Sequence, residues 1–273
     1  MVVPNSHLLA GVKYPLPFPA RIASMEKSKV DPAAATAIAR GGNAIYGVPL
    51  GILMLEARFA RIAGDMGNGT TWPFPVLYRV VRGASPARVV MDGARGLLPD
   101  FIDAAQELVR LGAEALTTNC GFLCLFQREL AAAAGVPVAT SALMQVPSVQ
   151  ALLPPGKRVG IVTISGSTLT PAHLAAAGVP MDTPIAGTEH GREFFRVLIS
   201  AEKDDLDVAL AREDVVNAGK DLVARHPEVG AIVLECTNMP PYAAALQAEV
   251  GLPVYDIYSM ITWFHGGLRP RAF

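Results

Sequence analysis

The sequence predicts an α/β fold of two pseudo-symmetric lobes, each built on a four-stranded parallel sheet, with an active site in the cleft between them. Apolar runs of strand length alternate with helical stretches along the chain, an order typical of parallel sheets with right-handed crossovers. A shift of 116 positions carries Cys120 onto Cys236 and aligns 113–144 with a second copy at eight identical positions without a gap. This duplication places one thiol at the same point of each half.

The first predicted lobe covers 48–156. Its opening run, 48–55, is continuously apolar, as in a parallel strand that is buried on both faces. A Gly/Asn/Trp-rich loop at 64–75 is longer than a simple connection needs, so we expect a lid or a specificity loop there. The remaining elements of this half are predicted as strands at 76–81, 114–120 and 137–140 and as helices at 99–111, from 121 to 134 and toward Leu153.

The second predicted lobe covers 157–261 and follows the break at Pro154-Pro155-Gly156. It repeats the order of the first, and Gly160 in its opening strand matches Gly51. Its predicted strands are 158–164, 183–186, 231–236 and 253–256, and its predicted helices are 169–177, 206–225 and 241–250.

Both ends of the chain lie outside the duplication. Residues 1–47 form a predicted N-terminal extension, with an extended Pro-rich arm at 14–19 and a short helix that opens at Asp31-Pro32 and stops at Gly41-Gly42. The apolar arm at 7–22 favours a homodimer. The last segment, 262–273, is expected to pack back on the first lobe.

Composition narrows the class of protein. A formal net charge of −1 without basic runs argues against nucleic acid as a partner, and no uninterrupted apolar stretch has membrane-spanning length. Three cysteines form no even disulfide framework. The N-terminus lacks the pattern of a signal peptide. We therefore expect a cytoplasmic protein with free thiols.

The two matched cysteines carry the predicted chemistry. Each stands at the end of a strand and before a helix, where free backbone N–H groups bind anions and lower the pKa of a thiol. Amides after each thiol, at Gly121-Phe122 and Thr237-Asn238, can hold a carboxylate or a developing enolate, while Asn119 and Glu235 precede the thiols and could orient them. Two thiols across a cleft suit removal of a proton beside a carbonyl group and its return on the opposite face.

These motifs, Asn119-Cys120 in the first half and Glu235-Cys236-Thr237-Asn238 in the second, resemble the aspartate/glutamate racemase superfamily over roughly 48–265. The superfamily includes amino-acid and hydantoin racemases, maleate cis–trans isomerase and arylmalonate decarboxylase. The resemblance implies flavodoxin-like lobes, a catalytic pair of Cys120 and Cys236, and no cofactor. It also implies that polar groups after each thiol bind a small-molecule carboxylate substrate.

The same resemblance places the ends of the first strands, Glu56 and Ser165, at the border of the site. The predicted substrate-binding residues are Glu56, Asn119, Gly121, Phe122, Ser165, Thr237 and Asn238. Glutamate racemases have Cys-Asn-Thr and Cys-Thr-His at the thiols, whereas this chain has Cys-Gly-Phe and Cys-Thr-Asn, which argues against glutamate as the substrate.

The leading hypothesis is a racemase or other isomerase without cofactor or metal, in which two cysteines act as an acid–base pair at a carbon alpha to a carboxylate or carbonyl. The alternatives are a decarboxylase or other lyase, a cis–trans isomerase of a small dicarboxylate, and a non-catalytic protein that binds small acids. Cys124 has no counterpart in the second half, where Pro240 stands. No metal site is predicted, since no further ligand follows Cys120 and Cys124 closely.

Overall fold

The first sheet has its most apolar strand at its centre. The computed structural model describes residues 41–271, and all six residues of the central strand β1 are buried. The strands of this sheet pair in parallel in the order β2-β1-β3-β4. They are β1 Leu50–Leu55, β2 Val76–Val81, β3 Ala115–Thr118 and β4 Val138–Ala139.

The second sheet has the same strand order as the first. Its strands pair in parallel in the order β6-β5-β7-β8, which is the order of the first sheet with every number raised by four. We call the structures built on the two sheets the first and the second lobe. The strands are β5 Arg158–Thr163, β6 Ile185–Gly187, β7 Val229–Leu234 and β8 Val254–Tyr255.

The α-helices alternate with these strands along the chain. Two 3₁₀ helices, Gly121–Phe126 and Ala142–Gln145, come directly before α3 and α4. The α-helices are α1 Pro86–Val90, α2 Leu98–Leu111, α3 Gln127–Ala134, α4 Val146–Leu152, α5 Pro171–Ala176, α6 Phe194–Leu198, α7 Val208–Arg225, α8 Pro240–Val250 and α9 Ile257–Leu268. The predicted fold class, two parallel four-stranded sheets in an α/β arrangement, is confirmed.

A matched pair of glycines explains how each central strand packs. A Cβ at Gly51 would lie 2.8 Å from Leu116 Cδ2, and a Cβ at Gly160 would lie 2.8 Å from Leu222 Cδ2. Both distances are too short for a carbon atom, so leucine side chains occupy the space that a larger residue would need. The duplicated glycine is therefore a packing requirement in both lobes.

The end of the chain contacts the first lobe. The Asp256 side chain caps the first turn of α9 by accepting a hydrogen bond from the backbone N–H of Ser259 at 2.8 Å. His265 stacks on Phe74 with 3.7 Å between ring centroids, and Arg269 forms an ion pair with Glu114. These contacts anchor α9 on the side of the first sheet.

The predicted arms at 7–22 and 14–19 and the helix from Asp31 lie outside the described residues, as does most of the predicted 1–47 extension. The predicted boundaries of the extension, the lobes and the C-terminal segment stay predictions. Within residues 41–271, no helix is both long enough and apolar enough to cross a bilayer.

Candidate active site

Two cysteines from different lobes line one cavity. Cys120 comes two residues after β3 and Cys236 two residues after β7, so both lie at the carboxyl ends of central parallel strands, where α/β proteins bind ligands. The cavity is narrow and partly open to solvent. Its lining consists of Leu55, Phe59, Arg61, Pro86, Val90, Asn119, Cys120, Gly121, Phe122, Ile164, Leu198, Ile199, Glu235, Cys236, Thr237 and Asn238.

The two strand ends that carry the thiols touch each other. Thr237 Oγ1 donates a hydrogen bond of 2.5 Å to the backbone carbonyl of Asn119, which joins the second lobe to the first. The Asn119 side chain turns toward its own sheet, where Oδ1 accepts a hydrogen bond from Leu55 N at 2.6 Å. Asn119 therefore fixes the end of β3 against the end of β1 while its carbonyl holds the other lobe.

Gly121 allows the lobes to approach this closely. A Cβ at this position would lie 2.1 Å from Glu235 Oε1 and 2.7 Å from the backbone carbonyl oxygen of Glu235. The residue after the first thiol is thus in direct contact with the residue before the second thiol. Any side chain at position 121 would have to displace the Glu235 carboxyl group.

Cys120 occupies the N-cap position of the 3₁₀ helix Gly121–Phe126, with φ −151° and ψ 118°. Burial raises the pKa of its thiol well above the usual range, and the charge of Glu235 raises it further. The backbone N–H groups of Phe122 and Leu123 act in the opposite direction and lower the pKa of the thiol, although the Leu123 N–H donates its hydrogen bond to the Cys120 carbonyl oxygen and none reaches the sulfur from the cap. Of the forces on this thiol, those two amides are the ones that favour the thiolate.

Cys236 has a different set of neighbours. Burial raises the pKa of its thiol well above the usual range, again with a contribution from the charge of Glu235, and the N–H of Asn238 lowers it. The thiol donates to Asn238 Oδ1 at 3.6 Å. The contact with Asn238 Oδ1 favours the protonated thiol, and only one N–H group favours the thiolate, compared with two at Cys120. Cys236 is therefore better placed than Cys120 to hold its proton.

The expected lowering of both thiol pKa values is wrong for this structure. Backbone amides near the sulfur atoms do lower both pKa values, as expected from the strand–helix junctions. Their effect is smaller than the cost of removing a thiolate from water in this cavity beside a carboxyl group.

Glu235 is a fully buried carboxyl group between the two thiols in the cavity lining. Its Oε2 accepts a hydrogen bond from Thr163 Oγ1 at 2.7 Å, and its Oε1 has no hydrogen-bond partner among the described residues. Burial raises the pKa of this carboxyl group to about 7, although Thr163 and the N–H of Ile164 favour its ionised form. Glu235 therefore changes charge near neutral pH.

A charged network connects Cys236 to the loop after β1. Asn238 Nδ2 donates to Asp65, which is only 3% exposed. Asp65 Oδ1 accepts from Arg61 Nη1 at 2.9 Å, and the Arg61 guanidinium lies 4.5 Å from the centroid of the Phe59 ring. The predicted loop at 64–75 thus supplies a carboxylate that holds both the asparagine beside the second thiol and an arginine in the cavity lining.

The family of the chain follows from its sequence together with this geometry. A family model described as Asp/Glu/Hydantoin racemase matches residues 92–264, a span that includes both thiols and their strands. The chain belongs to the Asp/Glu/hydantoin racemase family. The superfamily inferred from the two cysteine motifs is confirmed, and the chain is an enzyme of the Asp/Glu racemase family.

Two relatives are named for another reaction. The chain is 30% identical over 233 residues to a dimethylsulfoniopropionate lyase of Durusdinium sp. clade D, in an alignment that covers 81% of this chain and 76% of the relative. It is 32% identical over 222 residues to dimethylsulfoniopropionate lyase 6 of Emiliania huxleyi (strain CCMP1516), covering 76% of this chain. The match spans only 56% of the Emiliania protein.

Solved structures of other racemase-family proteins share the fold. Allantoin racemase from Klebsiella pneumoniae superimposes with a TM-score of 0.56 at 20% identity, over 80% of this chain and 87% of that protein. Unliganded arylmalonate decarboxylase superimposes with a TM-score of 0.51 at 15% identity, over 83% of this chain and 94% of that protein. These similarities establish the two-lobed α/β architecture.

Most of the residues predicted to form the racemase-family site come together in the cavity lining. Glu56 and Ser165 do not. Glu56 is exposed and accepts a hydrogen bond from Gly83 N at 2.7 Å, whereas Ser165 is buried with its hydroxyl 3.3 Å from that of Ser167. The predicted residues that line the cavity are Asn119, Cys120, Gly121, Phe122, Cys236, Thr237 and Asn238.

The two charged lining residues, Arg61 and Glu235, were not among the predicted site residues. Arg61 lies in an irregular loop without a motif, and only the fold of that loop brings it to the cavity. Glu235 was predicted only to orient a thiol. The signal that could have identified it as a site residue is its position as a carboxylate at the end of an otherwise apolar strand. In the part of the chain from 41 to 271, no group of three or more His, Cys, Asp or Glu side chains is arranged to hold a metal ion.

Proposed function

We propose that this racemase-family enzyme is a lyase that removes a proton alpha to a carboxylate and expels a leaving group from the neighbouring beta carbon. The observation that carries the proposal is the pair of thiols, Cys120 and Cys236, in the lining of one narrow cavity. The lyase outcome is supported by relatives named dimethylsulfoniopropionate lyase. Dimethylsulfoniopropionate is the substrate to test first.

The proposed elimination needs one base and no acid. The base takes a proton from the carbon next to the carboxylate, and the electron pair of that C–H bond forms the carbon–carbon double bond. The bond from the beta carbon to sulfur breaks with its electron pair on sulfur. The products are dimethyl sulfide, acrylate and a proton, which the base later returns to solvent.

Cys120 is the proposed base. The backbone N–H groups of Phe122 and Leu123 lower the pKa of its thiol, so they favour the thiolate that must form before proton abstraction. Cys236 donates its thiol proton to Asn238 Oδ1. We assign Cys236 the role of a proton donor to the opposite face of the alpha carbon, a role that elimination does not require.

Arg61 is the proposed partner of the substrate carboxylate. Its side chain is only 14% exposed, and its ion pair with Asp65 engages Nη1. The other N–H groups of the guanidinium form no hydrogen bond within residues 41–271 and are available to a carboxylate at the cavity. Asp65 then acts as the group that holds Arg61 in position.

The test is release of dimethyl sulfide from dimethylsulfoniopropionate by the purified chain, measured by gas chromatography, with acrylate measured by NMR. We expect the Cys120→Ser variant to lose release almost completely and Cys236→Ser to retain most of it. Cys124→Ala is the matched control, because Cys124 is a buried thiol outside the cavity lining. Full release by Cys120→Ser would contradict the proposed base.

The second candidate is a racemase or epimerase, favoured by the same observation that both thiols line the cavity. Racemisation requires an acid and a base on opposite faces of the alpha carbon, so both Cys120→Ser and Cys236→Ser would abolish it. Exchange of alpha protons in D₂O without release of dimethyl sulfide would replace the lyase with this candidate. Absence of both exchange and release would favour a protein that only binds small acids.

A further inference from the structure

The cavity lining contains one positively charged side chain and one carboxyl group. Arg61 comes from the loop after β1 and Glu235 from the end of β7. Asp65 already engages Arg61 by an ion pair. Within residues 41–271, Glu235 forms no ion pair, and its Oε1 has no hydrogen-bond partner although the side chain is fully buried. A buried carboxylate without a counter-charge is costly, and a cationic group of a ligand would offset that cost.

We infer that Glu235 recognises a methylated onium group of the substrate, so that the enzyme acts on small zwitterions with a carboxylate at one end and a sulfonium or quaternary ammonium at the other. This inference rests on the proposed function and names its substrate class. Arg61 would bind the carboxylate of the substrate and Glu235 would bind its cationic group. These two contacts would fix the orientation of the substrate in the cavity.

The rest of the lining favours a methylated cation over a primary ammonium. A primary ammonium presents three N–H donors, and an apolar wall leaves most of them unpaired. Methyl groups on sulfur or nitrogen carry positive charge and pack against aliphatic and aromatic carbon at no such cost. Half of the lining residues are of that kind: Leu55, Phe59, Pro86, Val90, Phe122, Ile164, Leu198 and Ile199.

The cation also connects to proton abstraction. The charge of ionised Glu235 raises the pKa of both cavity thiols. A positive group beside Glu235 offsets that charge, and it therefore favours ionisation of Cys120 when substrate is bound. In this way recognition of the onium group and activation of the base are coupled.

The test compares ligands that differ only in charge. The probes are 3-(trimethylammonio)propionate and 4,4-dimethylpentanoate, in which an uncharged tert-butyl group replaces the trimethylammonium, with binding to the intact chain measured by titration calorimetry at pH 8. We expect the onium compound to bind about tenfold more tightly than 4,4-dimethylpentanoate in the wild type. Glu235→Gln should lose this preference while its affinity for 4,4-dimethylpentanoate stays the same.

The matched control is Glu249→Gln, which removes one negative charge from an exposed position on α8 of the same lobe and should retain the preference. Arg61→Gln should weaken both ligands equally, because both carry the carboxylate. Equal binding of the two ligands by the wild type, or no binding of either, would overturn the inference. A preference that survives Glu235→Gln would overturn it as well.

A third probe separates two sources of positive charge. β-Alanine places a primary ammonium where 3-(trimethylammonio)propionate has its methylated nitrogen. Weaker binding of β-alanine supports a methylated onium substrate. Tighter binding of β-alanine would overturn the proposed class of methylated onium substrates and favour an amino acid substrate.

The wild type alone provides an independent measurement. The pKa of about 7 for Glu235 means that the ionised fraction rises about tenfold between pH 6 and pH 8, so affinity for the onium compound should rise by the same factor. The titratable groups that feel the charge of Glu235 are the three thiols, whose pKa values are raised. His173, whose ring packs on Phe122, has a pKa that burial lowers to about 4. Arg61 and Asp65 are paired with each other. A flat pH profile would contradict the inference.

Failure of this inference and failure of the proposed function are distinguishable, because binding needs no chemistry. If the preference for the onium ligand depends on Glu235 but the protein releases no dimethyl sulfide, the proposed elimination is contradicted. The proposed binding of the onium group by Glu235 is then still supported. If Glu235→Gln releases dimethyl sulfide with an unchanged kcat/KM, the proposed elimination is supported and the proposed role of Glu235 is overturned.

Discussion

Replacing Gly121 with alanine adds one methyl group at the contact between the lobes. The new Cβ would lie 2.1 Å from Glu235 Oε1, 2.7 Å from the Glu235 carbonyl oxygen and 2.9 Å from Ser141 Oγ. Cβ atoms essentially never come within 3.0 Å of another heavy atom. The strand ends or the carboxyl group must therefore move apart by about 1 Å, a displacement of the size that perturbs active-site geometry.

The expected cost has two parts. Overpacking of a well-packed contact destabilises the folded protein by about 1–3 kcal/mol. A displacement of about 1 Å at the reacting groups lowers activity by about a hundredfold. Urea unfolding gives the first value, and kcat/KM for the proposed release of dimethyl sulfide gives the second.

The control is Gly69→Ala. A Cβ at Gly69 has no heavy atom within 4 Å, and Gly69 is not among the glycines with positive φ, so this variant should match the wild type in both measurements. If Gly121→Ala unfolds at the same urea concentration as Gly69→Ala and retains its activity, the close contact between the lobes is not a constraint. The requirement for glycine at position 121 would then be refuted.

Three further predictions concern the groups around the thiols. Asn119→Ala leaves the buried N–H of Leu55 unpaired and should cost about 1–3 kcal/mol in the free energy of unfolding by urea; no loss would show that water replaces the amide. Asp65→Asn breaks the ion pair with Arg61 and should cost about 3 kcal/mol by the same assay while raising KM more than it lowers kcat; an unchanged KM would contradict the role of Asp65 as an anchor. The folded-state pKa of Glu235, about 7, is raised above its ordinary value of 4.5. Its contribution to stability is therefore present below pH 4.5 and lost as the pH rises through 7, so the free energy of unfolding of the wild type relative to Glu235→Gln should fall by about 2–3 kcal/mol between pH 5 and pH 8. A pH-independent difference would refute this.

The parallel strands and the place of the thiols were predictable because both depend on local patterns. A continuous apolar run predicts a central strand such as β1, and the duplicated Gly-x-Pro-Val after each cysteine predicts the strands β4 and β8. Once the strands are parallel, their carboxyl ends share an edge, and the thiols must lie there. The short edge strand β6 was predicted two residues early at its start, since its apolar signal is only three residues long.

The electrostatics of the site were not predictable in the same way. The pKa of a thiol depends on how tightly the lobes close, and that depends on contacts such as Thr237 with Asn119, which lie 118 positions apart in sequence. Arg61 lies in an irregular segment where no periodicity indicates the direction of a side chain. Glu56 and Ser165 were predicted from the family resemblance, which locates strand ends but does not determine which way the following residue points.

The raised pKa of the two cavity thiols affects the durability of the enzyme between turnovers. Peroxides and electrophiles attack the thiolate, and the protonated thiol reacts far more slowly. With Cys120 and Cys236 protonated in the cavity, the resting enzyme keeps its sulfur atoms in their least oxidisable form. A substrate that itself promotes ionisation would expose the reactive sulfur only while it fills the cavity and shields it from oxidants.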